Sequence, residues 1–297
     1  MKQKDSLDCQ SRRLEHSFRL TRVGVTGVKK PVTVHRDGRD RHLTATIDVF
    51  VDLPSTQRGS HMSRNVEVVT EMIEESVRKK VSSLEELAAK ICKKLLVRHE
   101  YASFAEVNMS ADYFLERKPV GGKASLEPFK LMAKATAMRG NGLMKLVGVE
   151  VQGMTACPCA METVKHKLQL KHPELRHVPA DTPMISHNQR NRTTLIIEVP
   201  EQVEIEADDL VGIVESSLSS PTYGILKRDD EANIVMKAHE NPKFVEDVVR
   251  EILGRLLVKY KGLDNSVHVT VRSESEESIH KHNAFAERVT TLGELRS

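Results

Sequence analysis

Apolar residues in this chain change period in a fixed order, and that order runs through the sequence twice. Residues 20–35 are rich in β-branched side chains, among them Val23, Val25, Val28, Val32 and Val34, with a break at Gly27. Residues 42–53 alternate, placing Leu43, Ala45, Ile47, Val49 and Val51 on one face of a half-buried strand. A polar loop, 54–63, follows. Residues 64–80 switch to helical period, with Val68, Met72, Ile73 and Val77 on one side. Ser83 and Glu86 spell a capping box for a second helix that turns Leu84, Leu87, Ala88, Ile91, Leu95 and Leu96 inward. Residues 99–116 and 129–138 return to strand character, joined through turn chemistry at Gly121-Gly122-Lys123.

The second half repeats the order. Strands are expected over 143–152 and 193–199 and helices over 208–218 and 241–259. Pro242 opens the longer helix, and Phe244, Val248, Val249, Ile252, Leu256 and Leu257 form its apolar face. Strands over 267–271 and 283–290 close the pattern. No residue-level repeat accompanies it. The expectation is an α+β fold of antiparallel sheets with helices on one face. A leader over 1–17 is expected to be flexible, with one domain over 18–140 and a second over 141–297, meeting near Gly140-Asn141-Gly142.

Composition narrows the function classes. With 297 residues, 39% hydrophobic and 29% charged, the chain is long enough for two domains with substantial cores. A net charge of +3 is too small for a nucleic-acid coat, and 4% aromatics without tryptophan leaves no platform for stacking bases. No apolar run reaches the roughly 20 residues that cross a bilayer. Residues 1–13 are polar and charged and lack a signal-peptide core. These features lead us to expect a cytoplasmic protein with no nucleic-acid or membrane partner. Four cysteines make no disulfide framework here. Cys9 in the leader and Cys92 in a helical stretch read as inert thiols.

Chemistry concentrates in four polar, turn-prone segments: Ser60-His61-Met62-Ser63-Arg64, Cys157-Pro158-Cys159, Ser186-His187-Asn188-Gln189-Arg190 and His280-Lys281-His282. Two of them fall in or beside polar inserts over 157–191 and 219–240, where function tends to sit on a regular scaffold. Cys157 follows a strand and begins a helix, a position that favours a thiolate. A one-residue spacer suits one functional thiol and one that packs; two buried thiols is an equal reading. His280 and His282 have period two, so an extended segment aims both imidazoles the same way. Solvent-exposed histidines are the plain alternative, for them and for His187. Thiolate, imidazole and carboxylate gathered from distant segments suit a catalytic zinc or ferrous site. His61 and Arg64 start a helix whose first-turn amides can hold an anion, and Arg190, Lys227, Arg228 and Lys243 can add positive charge; each is equally at home as a capping or surface residue. Glu246, one turn inside the last long helix, can accept two hydrogen bonds from an N–H/NH2 edge such as guanine presents. A first-turn acid also suits the helix dipole, and both readings stand.

Taken together, segments 20–30, 52–65, 155–159, 186–190, 226–231, 240–247 and 277–282, in order across residues 18–290, resemble type IB GTP cyclohydrolase. His61 in the second of these points to the archaeal, methanopterin-pathway branch. The resemblance implies a tandem tunnelling fold (T-fold) whose subunits pair edge to edge into barrels. A homo-oligomer follows, a dimer or tetramer with the tetramer favoured. It implies GTP as substrate and one divalent metal per subunit, Fe(2+) first, with Zn(2+) or Mn(2+) possible. The implied ligands are Cys157, His187, Glu231 and His280, with His282 close by and catalytic roles for Cys157, His280 and His282. Glu246 would anchor guanine, and His61, Arg64, Arg190, Lys227 and Lys243 would line the rest of the substrate. The implied reaction opens the guanine imidazole ring, releases formate and diphosphate, and forms 7,8-dihydroneopterin 2′,3′-cyclic phosphate. Alternatives are the bacterial-type product, 7,8-dihydroneopterin triphosphate, a nitrile reductase of the same fold, and a non-catalytic metal-binding module.

Overall fold

A computed structural model describes residues 16–36, 39–179 and 182–297. Cys9 and nearly all of the expected leader lie outside the described residues. The first elements are β1 (Leu20–Arg36), β2 (Arg39–Leu53), α1 (Met62–Arg78), α2 (Leu84–Arg98), β3 (Phe104–Arg117) and β4 (Ser125–Met138). Then come β5 (Gly142–Ala156), α3 (Pro158–Lys171), β6 (Asn188–Pro200), α4 (Ala207–Ser217), β7 (Ser220–Pro221), α5 (Arg228–Glu240), α6 (Val245–Lys259), β8 (His268–Glu276), β9 (Ala284–Thr291) and α7 (Leu292–Arg296). The hydrogen-bonded strand order is β1-β2-β3-β4-β5-β6-β8-β9, with β7 on β5. The chain forms two compact units, one from residues 1–112, 131–147 and 198–204, the other from 113–130, 148–197 and 205–297.

In the first unit, β2 alternates as its sequence predicts. Ala45, Ile47, Val49 and Val51 are fully buried, as are Val68 and Val69 of α1 and Leu87, Ala88, Ile91 and Leu95 of α2. The break at Gly27 is a bulge, not an end. Val25 pairs with Val49 and Val28 with Ile47, so β1 carries one extra residue there. Gly27 has φ of 72° and its N–H donates to Asp48 Oδ1 at 2.7 Å. The capping box of α2 is offset. Ser83 Oγ accepts from Glu86 N at 3.2 Å, but the Glu86 carboxylate reaches back to Ser82 N at 2.6 Å and Ser82 Oγ at 2.8 Å. Cys92 is buried, and its thiol faces Ala135 O at 3.2 Å. Burial pushes that thiol far above its ordinary range, which agrees with an inert role.

The second unit packs Leu210, Val211 and Val214 of α4 and Val248, Ile252 and Leu256 of α6 with Val149, Val151, Leu195, Ile197, Val269 and Val271 of the strands. Two expectations are corrected. Strand β3 starts at Phe104, because His99 is the C-cap of α2 and its carbonyl accepts the Ala102 N–H at 2.9 Å in a turn. Helix α6 starts at Val245, not at Pro242. The 241–244 segment is held extended instead, by Asn241 Nδ2 donating to Leu218 O at 3.1 Å and Lys243 N to Ala156 O at 3.0 Å. Both polar inserts are largely helical: α3 lies in the first and α5 in the second.

Asp52 ties the end of β2 to the start of β3. Its Oδ1 accepts from Ser103 N and Phe104 N at 2.8 Å, and its Oδ2 from Ser103 Oγ and Arg19 Nη2 at 2.7 Å. Burial alone would raise this carboxyl's pKa, but the hydrogen bonds from Ser103, Phe104 and Arg19 outweigh it and hold it below the usual value. A depressed folded pKa contributes stability that is present above the unfolded value and lost as pH falls through the folded one. Asp52→Asn is expected to cost about 1–3 kcal/mol at neutral pH. In urea unfolding series, the gap to the parent should narrow as pH drops below roughly 4.

Candidate functional site

A buried polar seam crosses β5, β6 and β8. Thr155 Oγ1 meets Ser275 Oγ at 2.9 Å, and Asn191 Nδ2 donates to Ser273 Oγ at 2.8 Å and Ser275 Oγ at 3.0 Å. Thr193 Oγ1 completes it, at 2.6 Å from Asn191 Oδ1 and 3.0 Å from Ser273 Oγ. All five side chains are fully buried. Such groups must satisfy one another, which pins the strands' relative register. Three strand ends are thereby aligned at one edge: β5 leads into Cys157, His187 leads into β6, and β8 leads into Glu277.

Cys157 N donates to His187 O at 3.1 Å, and Ser186 Oγ donates to Cys157 O at 2.6 Å. Cys157 is the N-cap of α3, with Pro158 at the first helical position, and its Sγ accepts from Ala160 N at 3.4 Å. The His187 side chain is only 12% exposed, with Nδ1 3.6 Å from Glu277 Oε2 and 3.4 Å from Ser278 Oγ. Its ring centroid lies 6.5 Å from that of His280, at 88° between planes. His280 in turn stacks on His282 at 5.2 Å and 15°. These two rings share a direction as expected, although they sit in an irregular connection between β8 and β9 and not in an extended strand. The sequence reading quoted Glu277 in its motif but assigned it no role. Its side chain is 10% exposed, and its Oε2 is buried without a hydrogen-bond partner among the described residues. An acid three residues before an exposed histidine carries no sequence signal of burial.

The other expected residues fall differently. Glu231 is exposed in the first turn of α5, while His239 near the far end of that helix approaches Ser186 O at 3.3 Å. The helix therefore separates Glu231 from that contact by about 12 Å of rise. Asp230, not Glu231, is buried, accepting from Lys227 N at 3.0 Å. Among the described residues, no three His, Cys, Asp or Glu side chains stand close enough together to form a metal-binding group. Lys227 and Arg190 are exposed. Lys243 is buried: its Nζ donates to Ser217 O at 3.1 Å and pairs with Glu251. Its ammonium is an anchor within the fold, not a free cation. Glu246 is exposed in the first turn of α6, just beyond the Lys243–Ala156 bond that docks this helix beside Cys157. In the other unit, His61 is the N-cap of α1 and Arg64 Nη1 donates to Arg98 O at 3.4 Å. The expectation that Cys159 packs is corrected. It is exposed, because Met161 is the only residue that α3 buries.

A family model described as type I GTP cyclohydrolase folE2 matches residues 7–286. A GTP cyclohydrolase MptA from Methanothermobacter thermautotrophicus is 49% identical over 288 residues, 93% of this chain and 91% of its own. The protein of the same name from Methanobrevibacter smithii is 45% identical over 290 residues, 94% of this chain and 93% of its own. Among solved structures, uricase from Arthrobacter globiformis matches with a TM-score of 0.53 at 8% identity, over 94% of this chain and 95% of that one. At that identity the likeness concerns the fold alone, and the fold is the tunnelling fold that the sequence led us to expect.

The cysteines differ enough for a chemical test. In the native protein a thiol-specific chromogenic reagent should label Cys159 quickly, and Cys92 only after unfolding. Cys159→Ser should remove the fast phase.

Proposed function

Because the chain belongs to the type I GTP cyclohydrolase folE2 family, we propose that it opens the imidazole ring of GTP by hydrolysis. Formate and diphosphate leave, and 7,8-dihydroneopterin 2′,3′-cyclic phosphate forms as the first step toward tetrahydromethanopterin. The near-full-length identity to proteins named GTP cyclohydrolase MptA carries this reading. The backbone bond from Cys157 to His187 and the nearness of the His187 and His280 rings support it, since three of the implied ligand residues emerge in one region of the second unit.

The donor chemistry fits a divalent metal. A thiolate and two imidazoles suit ferrous iron or zinc better than manganese, and the unsatisfied, buried Glu277 oxygen beside His187 is what a cationic centre would favour. Cys157, His187 and His280 would hold one ion per subunit, ferrous iron by preference. Glu231 belongs to the set on the resemblance alone. Such an ion, when bound, would supply the Lewis acidity that makes water a nucleophile near neutral pH. His282, stacked on His280, is suited to passing protons, because an imidazole carries two ring nitrogens that can donate and accept. Glu246 accepts from the guanine N–H/NH2 edge. Arg64, Arg190 and Lys227 place positive charge for the phosphates, His61 adds a ring N–H donor, and Lys243 supports the α6 start from within.

The proposal includes a homo-oligomer, with a tetramer favoured. β1 and β9 end the strand order, and their outer edges, apart from the Val34–Val81 bridge on β1, offer backbone that a second subunit can cover. It also includes the tandem division into 18–140 and 141–297. Setting aside α3, α5, the short β7 and the terminal α7, the main elements after β4 run β5, β6, α4, α6, β8, β9, repeating the order of β1 to β4 with α1 and α2. No helix among the described residues is long and apolar enough to cross a membrane.

Anaerobic incubation with GTP and ferrous ion should yield formate and a product with the mass of the cyclic phosphate. The triphosphate mass would indicate the bacterial-type reaction, and retained metal without turnover a binding module. Cys157→Ser and His187→Asn should each lower metal affinity by more than the roughly 10- to 100-fold typical of losing a supporting residue. Glu246→Gln should raise KM for GTP by about two orders of magnitude, with bound metal unchanged, because a carboxamide presents a donor to a donor edge.

A further inference from the structure

The residues His61, Met62, Ser63 and Arg64 are bracketed by a hydrogen-bond chain that the proposed reaction does not use. Ser60 Oγ, just before them, lies 2.8 Å from Tyr101 Oη. Tyr101 Oη lies 2.9 Å from His99 Nδ1, and His99 Nε2 lies 2.7 Å from Asn65 Oδ1, just after them. Ser60 is 5% exposed, and His99 and Asn65 are fully buried. Both ends of the four-residue segment are thus tied to one anchor, the tight connection from α2 to β3. That anchor is itself fixed, since His99 N donates to Leu95 O at 2.8 Å and Ala102 N to His99 O at 2.9 Å. Arg64 is tied to the same place through Arg98 O at 3.4 Å.

The composition of the chain matters as much as its geometry. It consists of two hydroxyls, an amide and an imidazole, with no carboxylate among them. Burial, then the nearby Arg64 and His61, lower the His99 pKa to about 4, so the imidazole is neutral at physiological pH. A neutral ring must donate from one nitrogen and accept at the other. With Asn65 Oδ1 accepting from Nε2, the Tyr101 hydroxyl donates to Nδ1 and the Ser60 hydroxyl donates to Tyr101. The hydroxyl and ring hydrogens of the chain are all committed. The chain holds the segment still without placing a negative charge beside it. Helix α1 adds to the same economy: its first turn has no acidic residue, and His61 makes no side-chain cap.

We propose that Tyr101 and His99 are positioning residues that lock the His61–Arg64 turn, with its positive charge free, in the geometry that receives the polyphosphate of the substrate. This rests on the cyclohydrolase reading for the identity of that substrate.

The test is steady-state turnover of GTP by the metal-loaded full chain, with guanosine as an inhibitor that lacks the phosphates. Tyr101→Phe keeps the ring and removes the hydroxyl; Ser60→Ala cuts the same chain at its other end and decides the matter if Tyr101→Phe does not fold. A misplaced binding group far from the reacting atoms is expected to raise KM for GTP by about 10-fold or more. Turnover number, metal content and guanosine inhibition should stay near those of the parent. An unchanged KM, or a parallel weakening of guanosine, would overturn the proposal. If the parent itself fails to turn over GTP, the cyclohydrolase reading falls instead. The positioning role is then decided by equilibrium dialysis of GTP and guanosine, where Tyr101→Phe must weaken GTP alone.

Discussion

The buried seam of Thr155, Asn191, Thr193, Ser273 and Ser275 is the constraint on which the candidate site depends. Each such hydrogen bond contributes only about 0.5–1.5 kcal/mol net, but a buried polar group left unpaired costs about 1–3 kcal/mol. A slip of one residue in β6 would turn Asn191 and Thr193 to the opposite face and orphan several groups at once. Apolar strands tolerate misregister more easily than this. Because the seam lies within a few residues of the ends of β5, β6 and β8, it fixes where Cys157, His187 and Glu277 emerge.

The first unit solves a related problem by a different means. Asp52 gathers two backbone amides, a hydroxyl and a guanidinium at the β2–β3 junction, a charged anchor where charge does no harm. The turn over His61 to Arg64 is held by neutral groups, through Ser60, Tyr101, His99 and Asn65. Choosing neutral donors and acceptors there preserves the field of Arg64. Lys243 makes the converse choice in the second unit. Its ammonium is enclosed by Ser217 O and Glu251, so it steadies the approach to α6 and adds nothing to the outward charge. Burial alone would raise the Glu251 pKa, but Lys243 and Arg255 together hold it below the usual value, consistent with a paired carboxylate.

Much of this architecture could be read from the linear chain, because its driving patterns are local. Period-two alternation in β2, helical period in α1, α2 and α6, and Ser83 before a helix each express a preference that neighbours within a few residues enforce. The repeated order of elements followed from those patterns, and the motifs from Leu20 to His282 marked the family. Where local and distant preferences competed, the distant one won. Pro242 is a good first helical residue, yet hydrogen bonds from the Asn241 side chain to Leu218 O and from Lys243 N to Ala156 O hold it in an extended segment and delay α6 to Val245. His99 and Tyr101 have strand-compatible composition, but the hydrogen bonds that claim them come from residues 34 and 41 positions away.

The candidate site divides the same way. Sequence by itself determined which side chains were chemically competent: Cys157 at a helix start, His187 in a polar segment, and His280 and His282 two apart. Tertiary structure alone decided which of them meet. It stacked His280 on His282 through a hairpin connection, set Cys157 against His187 by one backbone bond, and left Glu231 on the exposed first turn of α5. It exposed Cys159, buried Lys243, and brought an unassigned carboxylate, Glu277, beside His187. The physical reason is that competence is a property of one side chain and its immediate neighbours. Burial and proximity are properties of strands whose register is set by groups a hundred residues apart.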